Sequence, residues 1–264
     1  MNRKHFYAII VVVIILAAVA AVVILKSSAG SNIKLGQSAV GAYELQQLQA
    51  TANNSTLANL VSVGSANNFP VKISGQPLIV NGKPVLVYIG ADYCPYCAIT
   101  RWGLILALMR FGNFTNLQYM LSSPTDVYPN TPTFTFYNSS YESSYINFTG
   151  TEYQTRTGAP LENLTPLETS IMAHFNGPPG GGFPFTDFGN LTVQDGAEAS
   201  PGLINKYNWT QITTMLNDPQ SPVSKAIVGS ADVFTVQICE MTNNTPASVC
   251  GQPYLQNMKK FLSG

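Results

Sequence analysis

Residues 82–98 decide the fold of this chain and read Gly-Lys-Pro-Val-Leu-Val-Tyr-Ile-Gly-Ala-Asp-Tyr-Cys-Pro-Tyr-Cys-Ala. Residues 85–89 are a continuous apolar run, bounded by a proline and a glycine, which predicts a buried strand. From Cys97 the pattern changes to a mostly apolar helix that ends near residues 111–113. The stretch therefore predicts a strand, a short turn and a helix that opens on a Cys-x-x-Cys pair.

Cys94 and Cys97 lie at the predicted start of this helix. The unsatisfied N–H groups and the positive dipole end of a helix N-terminus stabilise a thiolate, so a cysteine there becomes nucleophilic. Pro95 suits the first turn because it has no N–H to leave unpaired. We predict that Cys94 is the nucleophile and that Cys97, one turn further on, resolves a mixed disulfide. The pair would cycle between a dithiol and a Cys94–Cys97 disulfide, and this redox-active disulfide would need no other cofactor.

The residues from Tyr93 to Cys97, placed after an apolar strand, resemble the thioredoxin superfamily, and the Pro-Tyr dipeptide between the cysteines is similar to that of glutaredoxins. The chain length and the apolar N-terminus resemble the archaeal membrane-anchored family known as domain of unknown function 929. The superfamily resemblance covers about residues 70–121 and 183–217. It implies an α/β, thioredoxin-like fold with a central mixed sheet flanked by helices and carrying an insertion.

The same resemblance implies a cis-proline beside the cysteines. Pro184, preceded by Phe183, opens an apolar strand that is followed by a turn, a second strand and a final helix, as in the second half of thioredoxin folds. Pro184 is therefore the third expected catalytic-site residue, next to which a substrate backbone can pair. Pro132 is the competing candidate.

Two positions depart from the superfamily pattern. Thioredoxins carry a buried acid in the strand before the cysteines, and here that position is Tyr88. Asp92, the nearest carboxylate, is expected to cap the helix, with a proton relay to Cys97 as the alternative. Arg101 is the one basic residue close by in sequence, so the resemblance to glutaredoxins does not extend to glutathione binding.

The composition is unusually poor in charge. The chain has 264 residues and a formal net charge of zero, and only 10% of its residues are charged, against a typical quarter. No stretch is basic enough to indicate a nucleic-acid interface. The composition therefore predicts no nucleic-acid partner.

The N-terminus predicts a membrane anchor. Residues 6–25 carry no charge and match the length of a bilayer-spanning helix. Basic residues at positions 3 and 4 precede this segment and Lys26 follows it, a small bias that favours a cytoplasmic tail over residues 1–5. A cleaved signal peptide is the alternative, although its apolar region usually spans about 7–15 residues. We expect a single-pass protein of the cell membrane whose main domain is extracytoplasmic.

The rest of the chain divides into a linker with short helices, residues 26–67, and a main domain, residues 68–264. The main domain is expected to contain an insertion over about residues 122–182. Within it, residues 132–137 and 141–148 alternate aromatic and small polar residues, which predicts a β-hairpin.

Glycosylation sequons are frequent in this chain. The candidate sites are Asn53, Asn54, Asn113, Asn138, Asn147, Asn190, Asn208 and Asn243. Their density, together with two cysteine pairs, favours a glycosylated extracytoplasmic protein.

The second cysteine pair is predicted to be structural. Cys239 and Cys250 lie near the ends of two predicted helices, and neither belongs to a helix-opening Cys-x-x-Cys. Closing a loop of about ten residues contributes roughly 2–3 kcal/mol in the chain-entropy model. A zinc site is not expected, because His174 is the only histidine beyond the N-terminal tail.

Together these features predict a membrane-anchored thiol–disulfide oxidoreductase that acts on cysteine-containing secreted or surface proteins. One alternative is a non-enzymatic surface glycoprotein or peptide-binding module with an inert Cys-x-x-Cys. Its ligand, a peptide or glycan, would contact the aromatic residues Phe134, Phe136, Tyr137, Tyr141, Tyr145 and Phe148. A copper chaperone is the other alternative, although no Met or His lies near the cysteine pair. The sequence leaves open the direction of the redox reaction, the natural partner and the oligomeric state.

Overall fold

The computed structural model describes residues 33–175 and 182–263. By its contacts the chain divides into Met1–Lys34 and a compact unit, Leu35–Gly264. Across the described ranges, every helix is too short or too polar to cross a bilayer. The predicted cytoplasmic tail and anchor, residues 1–25, lie outside the described residues.

Helices and strands of the compact unit follow one another in an α/β order. The helices are α1 (Ala42–Ala52), α2 (Ser55–Val61), α3 (Pro95–Met109), α4 (Pro166–Phe175), α5 (Trp209–Leu216), α6 (Pro222–Met241), α7 (Ala247–Cys250) and α8 (Pro253–Ser263). The strands are β1 (Val71–Lys72), β2 (Ile79–Val80), β3 (Lys83–Gly90), β4 (Gly112–Thr115), β5 (Gln118–Leu121), β6 (Pro132–Thr135), β7 (Ser140–Ser143), β8 (Asn147–Glu152), β9 (Phe185–Phe188) and β10 (Thr192–Asp195).

A mixed sheet built around β3 forms the centre of the unit. β3 pairs in parallel with β8 and antiparallel with β9 and β2. β9 pairs antiparallel with β10, which pairs in turn with β1. The register places Val87 opposite Thr149 on one side and Asp187 on the other. The expected fold class, α/β with a central mixed sheet flanked by helices, is confirmed.

Helices cover both faces of this sheet. Leu86 and Tyr88 face the main core, which includes apolar residues of α3 and α6. Val87 faces the opposite way and packs in a second core with Ile171 and Met172 of α4. Because both faces are covered, β3 reads as a continuous apolar run instead of an alternating one.

The predicted linker, residues 26–67, needs correction from Leu35 onward. The compact unit begins at Leu35 and not at residue 68. Leu48 of α1 and Leu57 of α2 are buried in the main core, where α1 packs on α3 and α2 packs on α6. Short amphipathic helices gain most of their stability from such packing, so these two are part of the folded unit.

The predicted insertion, about residues 122–182, also needs correction, because it supplies β8 to the central sheet. The hairpin predicted between residues 132–137 and 141–148 is wrong. β6 pairs with β5 and β7 pairs with β4, each in a separate two-stranded ladder. The alternating pattern indicated strands, but it carried no information about which edge each strand would join.

The aromatic residues of this region pack inward. Phe136 lies 5.1 Å from Tyr88 and 5.0 Å from Phe148, measured between ring centroids, and both pairs meet edge to face. Phe134 is fully buried and lies 4.7 Å from Trp102 of α3. Tyr141, Tyr145 and Phe148 are half-buried against the same core. These side chains therefore join the elements around α3 to the sheet.

Candidate functional site

The cysteine pair lies where β3 ends and α3 begins. Cys94 is the N-cap residue of α3, with extended backbone angles, and its Sγ accepts the backbone N–H of Cys97 at 3.1 Å. Pro95 occupies the first helical turn, as predicted. The helix thus begins at Pro95, two residues earlier than the apolar pattern indicated, and its first N–H groups surround the Cys94 sulfur.

Both cysteines are free thiols, and their environments differ. The hydrogen bond with the Cys97 thiol lowers the pKa of Cys94, aided by the Cys97 backbone N–H and the charge of Arg101. Burial raises the pKa of Cys97 well above its ordinary value. Cys94 is 6% exposed, so it is less accessible than a helix-start position suggested, whereas Cys97 is fully buried. The two thiols are therefore suited to unequal roles.

Pro184 lies next to the pair, and the expectation of a cis bond there is confirmed. The Phe183–Pro184 peptide bond is cis, whereas the bond before Pro132 is not. The Phe183 carbonyl oxygen lies 3.9 Å from the Cys94 Sγ, and the Phe183 ring packs against the cysteine loop. Two segments that are 89 residues apart in sequence therefore meet at Cys94, which lies between the helix start and the strand that follows Pro184.

The aromatic side chains in and beside the cysteine loop, here called the rim, include Tyr96 within the loop and Phe183, which packs against it. Tyr96 is 41% exposed and meets Tyr128 edge to face, with ring centroids 5.9 Å apart. Tyr153 and Phe183 form a second pair at 6.1 Å. A rim of this kind presents apolar surface and little charge to an incoming molecule.

Arg101 and Glu152 form a buried ion pair beneath the cysteines. Arg101 donates from Nε to Glu152 Oε1 at 2.8 Å and from Nη2 to Glu152 Oε2 at 2.6 Å. Both side chains are fully buried. Burial raises the pKa of Glu152 to about 7, against the opposing charge of Arg101. Neither residue was predicted as part of the site.

Asp92 does not cap the helix, which corrects that expectation, because Cys94 itself is the N-cap residue. The Asp92 carboxylate is buried, and its Oδ1 lies 3.8 Å from Arg101 Nη2. Burial raises the pKa of Asp92, with Arg101 acting in the opposite direction. Burial likewise raises the pKa of Tyr88 well above its usual value, so the phenol is neutral near pH 7.

Cys239 and Cys250 form a disulfide that joins α6 to α7, with their Cα atoms 5.6 Å apart. Both belong to the main core rather than to the small cluster that holds the Cys94–Cys97 pair. This arrangement agrees with the structural role predicted for them. Within residues 33–175 and 182–263, no group of three or more His, Cys, Asp or Glu side chains is placed to hold a metal ion.

The candidate glycosylation sites differ in accessibility. Asn147 donates its Nδ2 to the Val80 carbonyl at 2.8 Å, and Asn190 donates its Nδ2 to the Gln76 carbonyl at the same distance. Asn53 also donates its Nδ2, to the Gln49 carbonyl at 2.9 Å, although it is exposed. An N-linked glycan attaches to that nitrogen, so the half-buried Asn147 and Asn190 are the least available. The exposed candidates are Asn53, Asn54, Asn113, Asn138, Asn208 and Asn243.

One weak signal in the sequence pointed to the buried ion pair. Arg101 is a lone cation inside an otherwise apolar helix, four residues after Cys97, and four-residue spacing places two residues on one helix face. Glu152 carried no comparable signal, because it lies 51 residues away and in a strand that the sequence did not assign to the central sheet.

Comparison with known families matched residues 69–179 to the family described as Domain of unknown function (DUF929). The matched region contains the cysteine pair and Arg101, and it extends through β8 to the end of α4. No curated protein matched the chain, and no solved structure matched it. The chain is thus similar to this family over the part that holds the N-terminal half of the site.

Proposed function

We propose that this protein is a thiol–disulfide oxidoreductase of thioredoxin-like fold that acts on protein cysteines through Cys94 and Cys97. The observation that carries the proposal is the N-cap position of Cys94, whose sulfur accepts the Cys97 N–H at 3.1 Å. The lowered pKa of Cys94 and the raised pKa of Cys97 support a nucleophile and a resolving thiol.

The strand order supports the thioredoxin-like part of the proposal. Four of the six strands in the central sheet lie side by side in the order β10-β9-β3-β8. Of the three pairings between them, only that of β3 with β8 is parallel. α3 follows β3, α4 lies between β8 and β9, and α6 follows β10. This succession agrees with the two halves of the superfamily pattern that the sequence resembled.

The reaction needs no group beyond the thiols and the substrate. The Cys94 thiolate attacks one sulfur of a substrate disulfide, which breaks that bond and releases one substrate thiolate. Cys97 then loses its proton and attacks the Cys94 sulfur, which releases the second substrate thiolate. The substrate gains two electrons and two protons, and the protein pair becomes a disulfide. A second dithiol partner restores the reduced pair, and the reverse sequence oxidises a substrate.

The rim around Cys94 supports an unfolded or extended polypeptide as substrate. Its aromatic rings, among them Tyr96 and Phe183, suit contacts with side chains and backbone of many sequences. The fully buried Arg101 cannot reach a bound tripeptide such as glutathione. Protein cysteines are therefore the preferred substrate class.

Reduction of insulin by dithiothreitol, followed by the turbidity of the released chains, tests the activity. We expect the protein to accelerate the reaction and expect Cys94→Ser to abolish that acceleration. The Cys239→Ser/Cys250→Ser double variant is the matched control, because it removes the other pair and leaves the Cys94 loop intact. A wild-type rate equal to that of dithiothreitol alone would contradict the proposal.

The proposal includes a location at the cell membrane, with the compact unit outside and cysteine-containing surface or secreted proteins as partners. The uncharged residues 6–25, the Cys239–Cys250 disulfide and the exposed sequons support it. Protease treatment of intact cells that make the protein should remove the compact unit. A C-terminus that stays fully protected until the cells are lysed would overturn this orientation.

A further inference from the structure

Arg101 lies beneath the loop that carries the nucleophile. It follows Cys97 by four residues on α3, so the two share a helix face, and helical side chains lean toward the N-terminus. Arg101 Nη2 donates to the Ala91 carbonyl at 2.7 Å and lies 3.8 Å from Asp92 Oδ1. The positive charge of Arg101 is therefore held against the turn that leads to Cys94.

Carboxylates compete for this charge. Glu152 accepts two hydrogen bonds from Arg101, and Asp92 lies at the edge of the same guanidinium. Arg101 and Glu152 are fully buried and Asp92 is 2% exposed, so water screens none of them effectively. With both carboxylates ionised the cluster carries a net negative charge, which disfavours a thiolate close by.

We propose that Arg101 is the internal countercharge of the Cys94–Cys97 pair and that Glu152 sets how much of this charge a thiolate receives. Both act as positioning residues through the cysteines and contact no substrate. The inference rests on the proposed thiol chemistry and names the groups that regulate it. It predicts a thiolate population that depends on the protonation state of a residue in β8.

The titratable groups around Arg101 determine how the thiolate population of Cys94 depends on pH. The charge of Arg101 lowers the pKa of Cys94, and burial places the pKa of Glu152 at about 7. Glu162 accepts the backbone N–H of Glu152, and Tyr88 faces Arg101 as a neutral phenol. As pH rises through about 7, Glu152 ionises and neutralises Arg101, so the thiolate loses support. Below that pH, Arg101 is available to the sulfur.

The first test is the pH dependence of Cys94 alkylation by iodoacetamide in the reduced full-length protein. We expect Glu152→Gln to shift the midpoint to lower pH by about one unit, a tenfold change in the thiolate-to-thiol ratio. The matched control is Asp232→Asn, which removes a buried carboxylate from Arg110, the other buried arginine, just after the C-terminal end of α3. This control should leave the midpoint unchanged.

A double variant without either charge of the ion pair tests whether Arg101 lowers the pKa of Cys94, as the inference requires. Arg101→Met/Glu152→Gln removes both members of the ion pair and leaves Asp92, whose pKa burial already raises, without its cation, so it disturbs folding less than Arg101→Met alone. We expect its alkylation midpoint to lie above that of Glu152→Gln alone. Midpoints equal to wild type in both variants, or an equal shift in Asp232→Asn, would overturn the inference.

A measurement on the wild-type chain keeps the inference testable if these variants fail to fold. Coupling is reciprocal, so oxidising the cysteine pair removes the thiolate and should lower the pKa of Glu152. Side-chain ¹³C NMR of labelled glutamates in the reduced and oxidised protein measures this shift. Glu198 is the internal control, because it is buried against Thr100 and not against Arg101. An identical Glu152 titration in both redox states would overturn the inference.

The two proposals fail in different ways. A protein with the expected shift in thiolate titration but no disulfide exchange would contradict the proposed function and retain this inference. An active reductase whose Cys94 titration is unchanged in the Glu152 and Arg101 variants would support the proposed function and contradict this inference.

Discussion

Cys94 and Cys97 are only three residues apart, but their thiol pKa values are shifted in opposite directions. Cys94 precedes the first helical residue, so its sulfur receives a hydrogen bond from the Cys97 thiol and, to a smaller extent, backbone N–H groups of the first turn, and its pKa is lowered. Cys97 lies inside the first turn, where burial raises its pKa. The difference arises from position, since the two side chains are chemically identical: the Cys97 thiol hydrogen-bonds to Cys94, and Cys97 itself is fully buried.

This asymmetry predicts which variant traps a partner. Cys97→Ser should accumulate a mixed disulfide between Cys94 and a substrate protein, because the thiol that resolves it is absent. Cys94→Ser should trap none, since the remaining thiol is fully buried. Non-reducing electrophoresis and mass spectrometry of the adducts measure this. Equal trapping by the two variants would contradict the assignment of roles.

The elements that matter most for the site are α3 and β8. α3 carries Cys97 and Arg101 and begins directly after its N-cap residue Cys94, and β8 carries Glu152 at its last position. β8 pairs with the free edge of β3 from Val85 to Gly90, so its register places the Glu152 carboxylate under the helix. The position of one strand thereby determines the charge next to the cysteines.

Gly150 holds β8 in this position. A Cβ at residue 150 would lie 2.8 Å from Phe148 Cζ and 2.9 Å from two atoms of Phe136, whose ring is fixed in the aromatic core. We expect Gly150→Ala to lower the free energy of unfolding by about 1–3 kcal/mol, a typical cost of overpacking. Gly41→Ala is the control, because nothing lies within 4 Å of its Cβ position. Chemical denaturation measures both, and equal stabilities would contradict the packing described for β8.

At the scale of the whole molecule, few residues are charged, and burial disfavours the ionised form of the carboxyl groups in the core. Only 10% of residues are charged, and several carboxyls are nevertheless buried. Burial raises the pKa of Glu198 to about 7 and that of Asp232 to about 6. Asp232 is paired with Arg110, whereas no ion pair among the described residues includes Glu198. Glu198 is therefore a buried carboxyl without an ionic partner in the described part of the chain, and its ionisation weakens the fold.

The stability of the protein should consequently fall as pH rises from about 4.5 to 7. In this window Glu198 is protonated in the native state and ionised in the unfolded state, so the native state binds more protons and loses stability with increasing pH. The raised pKa corresponds to a loss of about 3 kcal/mol over this range, at 1.36 kcal/mol per unit. Glu198→Gln should reduce the decrease in stability by this amount, whereas the exposed-site variant Glu142→Gln should keep the full decrease. Glu152, Asp187 and Asp232, whose pKa values burial also raises, supply the rest of it.

Urea denaturation at pH 5 and pH 8 measures this prediction. Wild type and Glu142→Gln should both unfold at lower urea concentration at pH 8 than at pH 5. If Glu198→Gln shows the same decrease as wild type, Glu198 is not the group that weakens the fold.

The local parts of this structure could be predicted from the sequence. The cysteine helix, the capping pair of Thr165 with Glu168 and the helix Trp209–Leu216 all follow from short-range hydrogen bonds and periodicity, which neighbouring residues determine. The cis bond at Pro184 was also expected, although on a resemblance and not on physical grounds.

What the sequence alone determined is the chemistry of residues 82–98: a buried strand, a turn and a helix that begins beside a reactive cysteine. Only the tertiary structure decided which strand joins the free edge of β3 and, through it, that Glu152 meets Arg101. Strand pairing depends on which distant segment buries its apolar face best, and a two-residue period does not encode the partner. The charge beneath the cysteines is therefore a property of the fold, although both residues that supply it are visible in the sequence.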